Sequence, residues 1–252
     1  MHHVSEQCAF GHGEESTSIN NTAFMSSKQL CNYYDVLIFV DSRGLERDCN
    51  IDETWLYKLC KFYDLKKISY LAISRPKNIT VFPTLINFLK CNNITFKKLI
   101  TNLGFVDCTP KKDIFVRDIE LQIKGFYPNV ISLKEFGGYG TSNDENITLF
   151  SLEYPKEYVR ALANELLCRF QDVVMLTTSN VDINIKFKRD RPSCFYEQLK
   201  DTNYLVEELA SLVGSTLLNV NSLKLKTFDA VHFTREDHQK LFNQMITSIN
   251  NE

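Results

Sequence analysis

From Asp35 onward, short apolar runs of strand length alternate with longer stretches whose apolar residues recur at helical spacing, and this alternation constrains the fold most. The apolar runs lie at residues 36–40, 68–73, 98–103, 173–178 and 216–220. Helical patterns lie at about 52–63, where Trp55, Leu59 and Phe62 share a face, and at about 81–89, 155–170, 194–213 and 235–249. Pro155 suits a first helical turn, and Thr234 suits the N-cap of the last helix. Such alternation predicts an α/β fold of three layers: a five-stranded parallel sheet with helices on both faces. Ligands of such sheets bind beyond the carboxyl ends of the strands.

A chain of 252 residues with 44% hydrophobic and 24% charged content is long enough for one substantial domain. A net charge of −2 gives no general electrostatic reason to expect nucleic acid or an anionic membrane as partner. No signal peptide opens the sequence, and no apolar run approaches the ~18 residues of a membrane helix. Eight cysteines stand at long, irregular spacings without a CxxC pair, so reduced thiols in a cytoplasmic protein are the expected state. Cys60 and Cys168 fall on apparent helix faces, where cysteine behaves as a small buried hydrophobe. Residues 1–34 are polar and without periodicity; they read as a flexible tail, with His2, His3, Cys8 and His12 lacking the pinning a metal site needs. Residues 35–252 then form the folded domain, with a polar, glycine-containing insertion at about 111–151.

Three places along this pattern carry chemistry. The first run ends abruptly in Val40-Asp41-Ser42-Arg43-Gly44. The third stops at Gly104-Phe105-Val106-Asp107-Cys108. After the fifth comes Asp229-Ala230-Val231-His232, where an Asp three residues before a His can take the imidazole Nδ1 proton and leave Nε2 as a base. All three follow strands and so belong to one edge of the sheet. Ser42 is then the candidate nucleophile, His232 its base and Asp229 the orienting carboxylate. Gly137-Gly138-Tyr139-Gly140 has no leading strand and no Gly-Lys-Ser/Thr after it, which excludes a P-loop; a flap over the site is the expectation there. No Gly-x-Ser-x-Gly elbow occurs.

These blocks resemble those of the SGNH (GDSL-like) hydrolases, which are esterases, lipases and carbohydrate deacetylases on a flavodoxin-like sheet. Val40-Asp41-Ser42 resembles their Gly-Asp-Ser, Trp55-Leu56-Tyr57-Lys58-Leu59 their nearby helix start, and Asp229-Ala230-Val231-His232 their Asp-x-x-His. Gly104-Phe105-Val106-Asp107-Cys108-Thr109-Pro110-Lys111 is similar to a branch reading Gly-Ile-Val-Asp-Cys-Ala-Pro-Arg, met beside surface-polysaccharide genes. Two positions depart from the family. Val106 stands where the oxyanion-hole Asn belongs, and Ala72-Ile73-Ser74-Arg75-Pro76 lacks the block-two glycine. An oxyanion donor is worth on the order of 10²–10³ in rate, so Asn102, Ser74 or Arg75 would have to substitute.

The resemblance implies a Ser-His-Asp esterase or deacetylase on a small acyl ester of a carbohydrate, with neither metal nor organic cofactor. An acyltransferase with the same triad, or a non-catalytic binding protein of the same fold, are the alternatives. A third reading is a flavodoxin-like regulatory domain in which Asp-x-x-His is accidental. In humbler roles Ser42 is a turn or N-cap residue, and Asp229 caps the final helix. Asp41 holds its turn, and Asp107 and Gly104 frame the loop after the third strand. Arg43, Arg75, Lys111 and Lys112 form a basic rim, or are merely solvated, as residues 186–191 are expected to be. His238 is expected on a solvated helix flank.

Overall fold

The computed structural model describes residues 23–26, 32–45, 49–74, 79, 81–124, 132–141, 144–179, 181, 185, 191 and 194–250. Its centre is a parallel sheet of β2 (Tyr33–Val40), β3 (Tyr70–Ser74), β4 (Thr95–Thr101), β8 (Asp172–Leu176) and β9 (Thr216–Leu218), in the order β3-β2-β4-β8-β9. The alternation of strands and helices predicts the parallel, three-layer arrangement, and this order is the flavodoxin-like one that the resemblance implies. One strand was not expected: β1 (Ala23–Ser26) lies antiparallel against β3, with Ala23 opposite Ser74 and Ser26 opposite Leu71. Part of the expected tail therefore closes a sheet edge, and Tyr33 and Tyr34 begin β2. A four-residue strand that draws its stability from backbone pairing leaves little periodicity to read. His2, His3, Cys8 and His12 lie outside the described residues.

The period-two alternation of strand side chains sorts the core into two halves. Leu37, Phe39, Leu71, Ile73, Leu99, Val173 and Met175 point one way, against α2 (Val81–Cys91), α4 (Lys156–Arg169) and α5 (Phe195–Val213). Val36, Ile38, Val40, Ala72, Ile100, Val174 and Leu176 point the other way, against α1 (Trp55–Lys66) and α6 (Arg235–Asn250). Both faces are covered, which is why the strands read as continuous apolar runs. Thr54, whose side chain accepts from the Tyr57 amide at 3.2 Å, starts α1. Pro155, with φ −64° and ψ 155°, caps α4 from just outside it, one position earlier than a first-turn residue.

The insertion has its own secondary structure. Lys111–Lys112 (β5) leads into α3 (Asp113–Lys124), and a hairpin of β6 (Ser132–Thr141) and β7 (Asp144–Glu153) follows. β7 sits between β5 and β6 in a second, three-stranded sheet. The glycines at 137, 138 and 140 fall within β6, where the register shifts between Phe136, Tyr139 and Thr141. The expected glycine flap is thus a strand with irregular pairing.

The six cysteines among the described residues are in no disulfide. Cys60 is fully buried, whereas Cys168 faces solvent, contrary to its expected burial. Among the described residues, no helix is long and apolar enough to cross a membrane.

Candidate active site

The chain reverses strand order between β2 and β4, and the segments leaving these adjacent strands are tied together at once. The Asp41 amide donates to Asn102 Oδ1 at 2.7 Å, and Asn102 Nδ2 donates to Asp41 Oδ1 at 3.1 Å. From β3, on the other side of β2, Ser74 Oγ donates to the Asp41 carbonyl at 2.8 Å. The Asp41 carboxylate accepts from the Arg43 amide at 2.9 Å, making a tight Asx turn that opens a 3₁₀ turn over Ser42–Gly44. Arg43 then folds back beneath this turn. Its Nη2 lies 2.8 Å from Asp41 Oδ2 and also donates to the Asn102 carbonyl at 2.7 Å. The guanidinium stacks 4.9 Å from the centre of the Phe105 ring.

Asp41 is 1% exposed and Arg43 2%. This corrects the expectation that Arg43 lies on a basic rim: its charge is consumed inside the protein. Ser74 is corrected in the same way as a candidate oxyanion donor, because its hydroxyl hydrogen goes to the Asp41 carbonyl, and Asn102 gives one of its two amide hydrogens to the Asp41 carboxylate. Their contacts support the loop instead. Arg75 lies outside the described residues.

Ser42 rides on top of this network, partly exposed. Its neighbour Arg43 offers its carbonyl to Trp55 Nε1 at 2.9 Å, which pins the turn to the start of α1. The Trp55 amide in turn donates to His238 Nδ1 at 3.3 Å. His238 is 1% exposed, not a solvated flank residue. Burial, helped by the positive charge of Lys58 and by His232, pushes its imidazole down to about 4, so it is neutral and able to accept. The spacing His238, Leu241, Met245 puts it on the apolar face of α6, and extending that stripe by one turn would have found it.

The opposite side of the site is the turn after β9. Asp229 Oδ1 accepts from the His232 amide at 2.7 Å and the Val231 amide at 3.0 Å, and Oδ2 meets His232 Nδ1 at 2.8 Å. Burial works to raise the Asp229 carboxyl, but the amide and imidazole hydrogen bonds of His232 outweigh it and hold the group below its ordinary value. The turn requires Ala230 in the left-handed region, at φ 67°. Phe228 stacks on the imidazole, with ring centres 6.1 Å apart. With Nδ1 engaged, Nε2 is the nitrogen left for a substrate or a serine. Among the described residues, Ser42 Oγ makes no hydrogen bond, with His232 or with any other group. Catalytic contacts in unliganded enzymes are often long and tighten on binding.

A small apolar cluster underlies both sides. Phe105, Cys108, Phe195, Leu199 and Ala230 pack together, so the cluster that carries Arg43 on Phe105 also seats the Asp229–His232 turn on Ala230. The loop after β4 frames it. Gly104 takes φ 134°, a conformation open to glycine, and a Cβ there would stand 3.0 Å from Thr178 Cγ2. Asp107 accepts from the Ile79 amide at 3.0 Å and from the Tyr154 hydroxyl, and so fixes the loop against the end of β7. Lys111 Nζ donates to the carbonyls of Val106 and Thr109, so its ammonium also serves the loop and not a rim; Lys112 is exposed. Burial lifts the Cys108 thiol to about 12, which leaves it no nucleophile. Among the described residues, no group of His, Cys, Asp and Glu is placed to hold a metal ion.

No family model matches this chain, and no curated protein matches it. Solved structures do. The aryl esterase of Mycobacterium smegmatis superposes with a TM-score of 0.52 at 13% identity, covering 86% of this chain and 99% of its own. A protein of Agrobacterium tumefaciens, provisionally named an arylesterase, gives 0.50 at 14% identity over 86% and 99%. Axe2, an acetylxylan esterase of Geobacillus stearothermophilus, gives 0.47 at 10% identity over 86% and 94%. The first two share the α/β fold over nearly their whole length.

Proposed function

We propose that this chain is a serine hydrolase of the SGNH (GDSL-like) type, an esterase or deacetylase that removes a small acyl group from a carbohydrate in surface-polysaccharide metabolism. The observation that carries the reading is the Asp229–His232 pair, with the carboxylate holding the imidazole through Nδ1 at 2.8 Å while bracing the turn with its other oxygen. Ser42 attacks the acyl carbonyl, His232 Nε2 takes the hydroxyl proton and returns it to the leaving alkoxide, and Asp229 keeps the imidazole in its tautomer. Water then resolves the acyl-enzyme; a second hydroxyl in its place makes the same site an acyltransferase. The fold shared with an aryl esterase and the resemblance of Val40-Asp41-Ser42, of the segment from Gly104 to Lys111 and of Asp229-Ala230-Val231-His232 to the family's motifs support this reading.

Labelling with a fluorophosphonate probe tests it. Covalent labelling of the wild type that vanishes in Ser42→Ala and in His232→Ala is the expected result. A folded wild type that resists the probe overturns the reading. One set of observations favours a second function, a non-catalytic binding protein of the same fold: Val106 replaces the usual Asn, and the side chains of Asn102 and Ser74 are already engaged with Asp41. That reading predicts that Ser42→Ala leaves ligand binding intact.

A further inference from the structure

The turn that carries the Asp229–His232 pair is closed twice. The Thr234 amide donates to the Lys226 carbonyl at 3.2 Å, and the Phe228 amide donates to the His232 carbonyl at 3.1 Å. Thr227 and Phe233 pair between these two bonds as an isolated antiparallel bridge. Ala230 and Phe233, at most 2% exposed, anchor the turn in the core. Phe228 stays outside the core. It is 38% exposed and belongs to none of the three apolar clusters. Its ring lies over the imidazole of His232 instead, with centres 6.1 Å apart and planes 29° from parallel.

A lone exposed phenylalanine needs no explanation, but one laid flat against the candidate base does. Both rings are held in place: residues 228 and 232 are joined through the backbone, and the Asp229 carboxylate fixes the imidazole at Nδ1. The face of an aromatic ring is the negative side of its quadrupole, so it attracts a cation more strongly than a neutral ring. A general base of this kind is neutral before it takes a proton and cationic afterwards. A contact that strengthens with that change favours the transition state over the ground state, and so lowers the barrier.

We propose, on the hydrolase reading of the site, that Phe228 is a positioning residue whose ring face holds the His232 imidazole and supports the positive charge that arises there. In the acylation step Ser42 Oγ bonds to the acyl carbon, the carbonyl π pair moves onto the carbonyl oxygen, and the hydroxyl proton moves to His232 Nε2. Positive charge thus develops against the Phe228 ring as negative charge develops on the oxygen. Among the described residues, the titratable groups acting on this imidazole are Asp229 in its own turn and His238 on α6, with the positive charge of Lys58 on α1 acting on His238. Asp229 is held below its ordinary value and His238 is pushed down to about 4, so neither changes charge where an imidazole ordinarily titrates.

Leucine at this position keeps an apolar cover over the imidazole and removes the quadrupole, whereas tyrosine keeps both. The His232 ring protons, identified by NMR through their loss in His232→Ala, are titrated in the wild type, Phe228→Leu and Phe228→Tyr. The midpoint is expected to fall by about half a pH unit in Phe228→Leu and to hold in Phe228→Tyr. Fluorophosphonate labelling, at a pH where the imidazole is neutral in all three proteins, is expected to slow about two- to fivefold in Phe228→Leu and to stay near the wild-type rate in Phe228→Tyr. A midpoint that holds or rises in Phe228→Leu overturns the proposal. So does labelling of Phe228→Leu at the wild-type rate, or an equal loss of labelling in both variants. A wild type that resists the probe removes the hydrolase reading instead, and the NMR midpoint still decides whether Phe228 supports a charged His232.

Discussion

The two sides of the candidate active site are built in opposite ways. The Asp41–Arg43 side is assembled over long distance: its ties run to Asn102, 61 residues on, and to Ser74, 33 residues on, and its charged members are at most 2% exposed. The Asp229–His232 side is assembled locally, within three residues, and its side chains remain 15% and 17% exposed. One is a foundation, closed before any substrate arrives. The other is held by a single carboxylate and stays partly exposed. Mutations should therefore separate by kind: stability on the first side, reactivity on the second.

The largest effect is expected on the second side. If the hydrolase reading holds, Asp229→Asn frees the imidazole to adopt the wrong tautomer and lowers ester turnover by a factor on the order of 10³–10⁴. The same variant costs little global stability, because the pair is partly exposed and an amide oxygen can still accept from the His232 and Val231 amides. Parallel measurement of turnover and urea unfolding checks this. A large loss of stability with unchanged turnover would put Asp229 in the foundation and dissolve the comparison.

On the first side the order reverses. Arg43→Met leaves the Asp41 carboxylate buried without its counter-ion, and breaking such a pair costs about 3–5 kcal/mol. Replacing both partners, Asp41→Asn with Arg43→Met, should cost clearly less than the single change, since no charge is then stranded. Urea unfolding of the wild type and both variants reads this directly. An Arg43→Met protein of wild-type stability would show that the pair is worth no more than a surface ion pair.

The same contrast explains how much was legible beforehand. Asp-x-x-His is a local pattern, and its spacing alone places the carboxylate on the imidazole. The parallel three-layer sheet was also legible, because strands buried on both faces read as continuous apolar runs; its strand order came only with the resemblance. Arg43 was misplaced because nothing next to it in sequence says that Asn102 and Phe105 will receive it; its partners come from the end of another strand. His238 was misplaced because its ring was judged apart from the stripe of Leu241 and Met245 that continues its face. Strand β1 and the β6–β7 hairpin were missed for a third reason. β1 spans four residues, too few to show a period, and three glycines interrupt β6.

His238 ties the two sides together and gives the comparison a pH axis. Its folded value lies near 4, below the ordinary imidazole value, so between these limits the unfolded chain binds more protons than the folded one. The stabilising contribution is therefore complete above about pH 6.5 and is lost as the pH falls toward 4, by about 3 kcal/mol at most. His238→Gln keeps an acceptor for the Trp55 amide but does not titrate there, and should flatten this part of the stability profile. An unchanged profile in His238→Gln would assign the acid sensitivity to other groups.

The smallest effect falls at Gly104, where the foundation meets the loop that frames the site. Two separate costs meet in Gly104→Ala. The residue's φ of 134° is one that an L side chain rarely adopts, and the added methyl would stand 3.0 Å from Thr178 Cγ2 and 3.1 Å from Thr202 Cγ2. Thr202 lies on α5, and Thr178 is held by Asn203 of that helix through a 2.7 Å hydrogen bond, so neither methyl is the free end of a flexible chain. The loop must move instead, at a cost of about 1–3 kcal/mol. Because that loop carries Phe105 under the Arg43 guanidinium and shares its cluster with Ala230, the shift reaches both sides of the site. Gly104→Ala should thus lower stability and probe reactivity together, unlike Asp229→Asn or Arg43→Met. A variant that loses stability while labelling at the wild-type rate would show that the loop after β4 supports the sheet edge without positioning the turn that holds His232.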